Sequence, residues 1–413
     1  MTIPLPSFEE ALDIVLHHAA GLPIPSATET LPLESSLGRV LAEPITADRD
    51  QPPFNRSTRD GYALRAANAT QTLTIAGALR AGELWQGSPL QPGTAIEIMT
   101  GAPVPDGADA VVMVEHIEHH DNGTIRLTAG RTIAAGDNIV PQGAEARSGA
   151  ALLPAGTPLL PPEIALAAAC GYAGVMVYRR PRVAILATGD ELVDVAELPS
   201  LQQIRNSNTY ALAAAVTAAG GESLRLFPSA DTHTALEASI LQAAGYDLLL
   251  VTGGVSAGKY DLVEEVLSSL GATFGFTGAA IQPGKPVVFG QISSNEHQLP
   301  RNFFALPGNP VSTQVTFRLF VEPFLRALAG ERPISGPRFV QATLASEIKG
   351  RPGGLTRFLP AYLRSDLVAP TVELTVWQGS GDLNANARAN CYAVLPSEGK
   401  DLAVGEVITV LLR

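Results

Sequence analysis

Between residues 182 and 330 the chain alternates short apolar runs with amphipathic stretches. Arg182–Ala187, Ser223–Phe227, Leu248–Val251, Val287–Gln291 and Phe303–Leu306 have the length and apolar content of buried strands. Thr209–Ala219, Thr234–Ala244 and Pro310–Ala329 carry helical spacing between them. A further helix opens at Asp261, where Glu264 three residues on completes a capping-box pattern. Such alternation predicts right-handed βαβ crossovers and a largely parallel sheet. Ligands then sit beyond the carboxyl ends of the strands.

The pattern differs on either side. Ser7–His18 reads as an N-terminal helix with a capping box made by Ser7 and Glu10. Residues 44–145 hold short strands between Gly/Pro turns, in QTLTIAGAL, TAIEIMTG, ADAVVMVEH and GTIRLTAG. Residues 146–180 return to turns and an Ala-rich helix, Pro162–Cys170, expected to pack with the N-terminal helix. The last stretch is again β-patterned, in FVQATLA, FLPAYL, TVELTVW, CYAVLP and VITVLLR, and predicts a small barrel or sandwich. The expectation is an α/β multidomain protein of four parts: a connecting domain (1–43 with 146–180), a β-rich insertion (44–145), an α/β domain (181–330) and a C-terminal β domain (331–413).

Composition narrows the function. At 413 residues, 46% of them hydrophobic and 16% charged, the chain can bury several cores. A formal net charge of −12 disfavours nonspecific DNA binding and anionic membranes. The two cysteines, Cys170 and Cys391, read as buried thiols. There is no basic residue before Arg39 and no long apolar run, so neither a signal peptide nor a membrane span is expected. A reducing cytoplasm fits.

Candidate chemistry gathers just past the strand ends. Thr188, Gly189, Asp190 and Glu191 follow the first strand, and Ser229, Ala230 and Asp231 the second. The loop after Val251 holds Gly253, Gly254, Ser256, Gly258, Lys259 and Asp261. It nearly spells a nucleotide-binding P-loop, but Tyr260 stands where a magnesium-binding hydroxyl is needed. Lys285 sits on the turn Pro283-Gly284-Lys285-Pro286, and Pro307, Gly308, Asn309 and Pro310 lead into a helix. Each cluster also has an ordinary reading. Asp231 and Asp261 serve equally as helix caps, Asn309-Pro310 as a plain helix start, and Asp190-Glu191 as a solvated turn. Together they point to a phosphate-bearing ligand, with carboxylates for a divalent metal, magnesium. Lys285 and the loop amides would neutralise charge at phosphorus. Asp60 and Thr100 lie on turns of the β-rich part, where Asp60-Gly61 is also an ordinary turn. His116, His119 and His120 read as surface residues, and no zinc spacing occurs.

These segments, taken in order, resemble the MoeA family and the related E domain of gephyrin. The matching motifs are STRDGYA (57–63), IMTGAPVPDGADAVV (98–112), TGDEL (188–192), TGGVSAGKYD (252–261), PGKP (283–286) and LPGNPVS (306–312). The resemblance implies four domains, the third similar to the MogA-type molybdopterin-binding fold, with a barrel at the C-terminus. It implies an elongated homodimer whose site lies between the third domain of one subunit and the second of the other. It also implies the reaction: adenylylated molybdopterin is cleaved with magnesium, molybdenum from molybdate enters the dithiolene, and AMP leaves. Asp60, Thr100, Glu191, Asp261 and Lys285 then carry the chemistry, and Asp60, Glu191 and Asp261 the magnesium. Thr188, Gly189, Asp190, Asp231, Gly253, Gly254, Ser256, Gly258, Pro307, Gly308, Asn309 and Pro310 hold the ligand. A MogA-type adenylyltransferase and cofactor-maturation proteins are the implied partners. The alternatives are a MogA-like adenylyltransferase dependent on ATP and a noncatalytic scaffold such as gephyrin. The chain also departs from the family pattern. SAMDGYA reads Ser57-Thr58-Arg59-Asp60, the lysine before PGKP is Gln282, and other segments differ at Val140–Glu145 and Asn384–Ala387. Two cationic positions are lost, and Arg59 compensates in part.

Overall fold

The computed structural model describes residues 5–254, 262–293, 298–365 and 367–413. It divides into two compact units, Met1–Ala42 with Gly156–Leu160 and Val175–Arg413, and Glu43–Ala155 with Pro161–Gly174.

In the first unit, helix α1 (Phe8–Ala20) starts as its sequence dictates. Ser7 Oγ accepts the Glu10 N–H, and the Glu10 carboxylate accepts the Ser7 N–H. Its apolar stripe of Phe8, Ala11, Val15 and Ala19 is buried against Phe276, Phe320 and Phe324. The N-terminal helix therefore packs on the α/β core. The Ala-rich helix, Pro161–Ala169, groups with the other unit instead of joining it.

The α/β part runs β1 (Arg182–Ala187), α2 (Asn208–Ala218), β2 (Glu222–Arg225), α3 (His233–Leu241), β3 (Leu248–Thr252), α4 (Leu262–Ser269), β4 (Ala272–Phe276), β5 (Val288–Ile292), β6 (Asn302–Leu306) and α5 (Pro310–Thr316). The sheet order is β2-β1-β3-β6-β5-β4. The first four strands are parallel, as expected; β5 alone runs the other way, antiparallel to both of its neighbours, β6 and β4. The connections into β5 and β6 are too short for a crossover helix, so these strands must reverse direction. Side chains alternate between two cores. Val183, Ile185, Leu248, Leu250, Phe304 and Leu306 face α1, α2 and α5. Ala184, Leu186, Leu249, Val251, Phe303 and Ala305 face α3 and α4. The result is three layers, helix–sheet–helix.

The expected helix 310–329 is interrupted. A π-helical turn, Phe317–Val321, separates α5 from α6 (Glu322–Leu328). Pro323 has no N–H to give the Leu319 carbonyl, so the regular bonding pattern cannot continue there. The core beneath is aromatic. Phe304 is fully buried, with ring centroids 4.8 Å from Phe289 and 5.5 Å from Phe324. Phe304→Ala is expected to cost about 3–5 kcal/mol, read from the denaturation midpoint. A loss below about 1 kcal/mol would show that the site collapses around the smaller residue.

The C-terminal part is the barrel alternative. Thr356–Arg364, Thr371–Leu374, Phe339–Leu344, Val407–Leu412 and Cys391–Leu395 pair in that order, and the last pairs again with the first. Ile281–Gln282 adds to the barrel in parallel with Thr356 and Arg357. The turn carrying Lys285 is thereby anchored to it. Cys391 is buried in this barrel, and desolvation pushes its thiol up to about 11. Both cysteines are free and buried.

In the second unit a six-stranded sheet runs Ala110–Met113, Gly61–Leu64, Thr94–Ile98, Leu73–Leu79, Thr124–Leu127 and Ile117–His120. It matches the β-rich pattern read from the sequence. Gly61 is obligatory here, because a Cβ would lie 1.8 Å from the Val112 carbonyl oxygen. No described helix of the protein is long and apolar enough to cross a membrane.

Candidate functional site

The chain passes from β1 outward to β2 and then back across β1 to β3. This reversal opens a crevice at the carboxyl ends, the usual ligand position in such sheets. The register makes the rim level. Ala187 stands opposite Thr252, and Thr252 opposite Leu306, so the loops at 188, 253 and 307 all begin at one height.

Those loops are tied together by their own backbones. Thr188 N–H donates to Thr252 O at 3.0 Å, Ser229 N–H to Ala187 O at 2.9 Å and Gly253 N–H to Leu306 O at 3.2 Å. Asn208, at the head of α2, donates from Nδ2 to Thr252 Oγ1 at 3.1 Å and to Gly308 O at 2.7 Å. Thr313 Oγ1 donates to Pro307 O at 2.6 Å. Gly253 has φ +93°, and a Cβ there would lie 2.3 Å from Thr188 O. Glycine is required for this approach.

The acidic side chains are also placed by neighbours. Thr188 Oγ1 donates to Asp231 Oδ1, and the Asp231 N–H donates to Asp190 Oδ1. Asp231 is not the helix cap: Thr232 occupies that position and accepts the Ala235 N–H. The Asp231 carboxylate is therefore left to the cleft. Glu191 lines the same cleft, and a Cβ at Gly189 would collide with its carboxylate at 2.7 Å. Asn309 precedes α5 with Pro310 at the first helical position, as expected, yet makes no side-chain cap bond. Its amide is also free to face the cleft.

The cleft has a volume of about 1260 Å³. Thr188, Gly189, Glu191, Asp231, Gly253, Gly254, Lys285 and 307–310 all line it, so the structure brings these expected residues together. Asp190 holds the Asp231 backbone behind them. Ser256, Gly258, Lys259, Tyr260 and Asp261 lie outside the described residues, so the near-P-loop segment has no structural account here. The barrel supplies the opposite wall, where Arg351, Leu355, Arg357, Trp377 and Ser380 line the cleft. The sequence reading missed these residues, along with Arg205 and Asn208. The one available signal was an arginine, Arg357, at the start of an otherwise apolar strand. Burial, and secondarily the charge of Arg351, hold the Arg357 guanidinium below its usual range.

Oxygen donors of this kind suit a hard cation such as magnesium. No group of three or more His, Cys, Asp or Glu side chains forms a metal cluster among the described residues. Glu191 and Asp231 nonetheless fit magnesium, which commonly takes one or two carboxylates and completes its shell with phosphate oxygens and water.

In the second unit Asp60 and Thr100 meet directly. Asp60 Oδ1 accepts the Thr100 N–H at 2.6 Å and the Thr100 hydroxyl at 2.8 Å. These bonds, the backbone one first, hold the Asp60 carboxyl below the usual carboxylate range. Arg59 forms no ion pair with Asp60 among the described residues.

Three family models match the chain. They are the MoeA N-terminal region (domain I and II) over residues 6–171, a probable molybdopterin binding domain over 184–327 and the MoeA C-terminal region (domain IV) over 341–412. The molybdopterin molybdenumtransferase of Haemophilus influenzae is 33% identical, covering 94% of this chain and 95% of that protein. The protein of the same name from a Nostoc species is 36% identical, over 97% and 94%. A crystal structure described as the molybdopterin biosynthesis moeA protein of Pyrococcus horikoshii OT3 superposes with TM-score 0.77 at 28% identity, covering 99% of this chain and 100% of that one. With identity above 30% over nearly the full length, this chain belongs to the MoeA family.

Proposed function

We propose that this protein is a molybdopterin molybdenumtransferase. It takes adenylylated molybdopterin and molybdate, inserts molybdenum at the dithiolene and releases AMP. The observation that carries this reading is the cleft: one wall is a level rim of backbone amides and carboxylates, and the other carries cations from the barrel. A substrate with a phosphate link on one side and an oxyanion co-substrate on the other fits such a division.

The rim loops orient the phosphates through backbone N–H groups. Thr188 fixes the Asp231 carboxylate, and Gly189 leaves the space that the Glu191 carboxylate occupies. Lys285 has no carboxylate partner among the described residues, so its charge is available to the phosphoryl oxygens as AMP departs. Magnesium, held by Glu191 and Asp231 with Asp261 as a further candidate ligand, would neutralise phosphate charge when bound. Asp60 and Thr100 serve the same reaction in this proposal, with Asp60 as a further candidate for magnesium. The protein works as a cytoplasmic homodimer and receives its substrate from a MogA-type adenylyltransferase.

Incubating the purified protein with adenylylated molybdopterin, magnesium and a molybdate series tests this directly. Molybdate-dependent AMP release is expected. ATP-dependent adenylylation of molybdopterin, without molybdate-dependent release, would transfer the assignment to the adenylyltransferase reading. Tight substrate binding with no AMP release would keep the cleft as a binding site and assign the chemistry to a partner, and no binding at all would favour the scaffold reading.

A further inference from the structure

A second cavity, of about 400 Å³, lies between α2 and the helical segment that runs on from α5. It shares no lining residue with the cleft. Its size is that of an ordinary small-molecule site. The apolar wall is set by spacing. Ala211, Ala214, Ala215 and Ala218 fall at i, i+3, i+4 and i+7, on one face of α2. The helix packs on the core through other residues, Leu212 and Val216, which are buried. The alanine side chains are too short to close the gap to the π-helical turn, where Phe317 and Arg318 line the cavity. Turns of this kind recur at functional sites.

The polar end lacks an acceptor. Tyr392 lines the cavity with only 1% of its surface exposed. Its hydroxyl neighbours the Asn386 side chain, but Asn386 Nδ2 donates to Gln314 Oε1 at 2.8 Å and the buried Asn386 Oδ1 receives no donor. The Tyr392 O–H therefore donates to no acceptor among the described residues. Burial pushes this phenol up, so it stays protonated and is a donor at neutral pH. Buried donors in folded proteins nearly always have an acceptor, so this one marks a missing ligand. The Arg413 guanidinium lies 5.8 Å from the Tyr392 ring centroid. Its Nη1 is held by the Asn386 and Ala389 carbonyls at 2.6 Å each, while Nε and Nη2 have no acceptor among the described residues. Glu322 also lines the cavity, but it is paired with Arg318. Arg413 has no ion-pair partner among the described residues.

We propose that this cavity is a second binding site, separate from the cleft, for a small aromatic monocarboxylate whose ring lies along the alanine face and whose carboxylate accepts from Tyr392 Oη and the free donors of Arg413. A planar carboxylate matches a guanidinium with two oxygens. A flat ring covers four methyl groups without leaving voids. One guanidinium balances a monoanion, and a dianion would be repelled by Glu322 beside it.

Benzoate is the probe, titrated into the full chain by ligand-observed NMR, with benzamide and acetate as comparisons. Benzoate is expected to bind with a Kd of about 1 mM, the scale for a ligand of about nine heavy atoms. Benzamide, which is uncharged, should bind about tenfold more weakly. Acetate, which has no ring, should not bind measurably. Ala218 is exposed, so Ala218→Leu fills the cavity without disturbing the core. It should weaken benzoate by about tenfold or more and leave the melting temperature and AMP release unchanged. Tyr392→Phe removes only the hydroxyl and should cost about fivefold. Arg413→Gln should cost about tenfold, and the other two variants keep the test decisive if it folds poorly. Saturating AMP should not change the benzoate Kd. No binding of benzoate by the wild type would overturn the inference. So would an unchanged Kd in both folded Ala218→Leu and Tyr392→Phe, which would place the ligand elsewhere, or displacement by AMP, which would place it in the cleft. Benzamide binding as tightly as benzoate would overturn the carboxylate assignment.

Discussion

Asp60→Ala is expected to lower molybdate-dependent AMP release by about a thousandfold or more, the range for loss of a preorganised charged group in phosphoryl chemistry. The carboxylate is exposed, so removing it leaves the sheet around Tyr62, Ala63 and Leu64 intact. Two donors from Thr100 converge on one oxygen of Asp60, which fixes the carboxylate and leaves the other oxygen to act. Thr100→Ala removes the hydroxyl but keeps the backbone N–H, so its loss should be nearer tenfold. Asp60→Asn keeps the shape and loses the charge. If charge is what matters, it should fall with Asp60→Ala rather than with the wild type. The pH behaviour follows from the direction of the shift. A carboxyl held below its ordinary range contributes its stabilisation in full above the unfolded pKa and loses it as pH falls through the lower, folded value. Asp60 is therefore ionised throughout the neutral and mildly acidic range, and any decline in wild-type activity there belongs to another group. The measurement is initial AMP release against pH, with circular dichroism as the control for folding. Retention of more than about a tenth of wild-type activity by Asp60→Ala would remove Asp60 from the machinery.

The parts of the fold that were legible in the sequence are those governed by local pattern. The strand Arg182–Ala187 has the same bounds in both, because its apolar run and flanking turns leave no alternative. The capping box at Ser7 is equally local. What the sequence could not supply depends on distant partners. The reversed strand β5, between β6 and β4, follows from connection lengths and from which neighbour each strand finds. The role of Asp231 depended on Thr232, one residue later, taking the cap. Arg351 and Arg357 were illegible as site residues because only barrel closure turns that segment toward the rim loops. Ile281–Gln282, by adding to the barrel, explains how one short segment serves both walls of the cleft. The motifs revealed the rim; long-range pairing was needed to reveal the wall opposite it.

Gly253→Ala and Gly308→Ala should behave very differently, although both glycines line the same cleft. At Gly253 the backbone has φ +93°, which costs an L-residue about 1–2 kcal/mol by itself. Its Cβ would lie 2.3 Å from Thr188 O, a contact that must be relieved by moving backbone. The Thr188 N–H is bonded to Thr252 O and the Gly253 N–H to Leu306 O, so no one strand end can shift alone. Three loops would move apart together, carrying Thr188 away from Asp231 and misaligning the amides of the rim. The expected cost is about 2–4 kcal/mol of stability and at least a hundredfold in AMP release, since misplacement by an ångström in such a site is felt on that scale. At Gly308 the backbone is not left-handed, and a Cβ would meet Gly253 Cα at 3.5 Å, an ordinary contact. Gly308→Ala should cost less than about 1 kcal/mol, with any loss of activity coming from ligand contact alone. Thermal melting of the two variants side by side separates these cases. Equal melting temperatures would mean that the loops after β1, β3 and β6 are not strapped together at Gly253, and the rim would then have to be organised by the side-chain bonds of Asn208 and Thr313 instead.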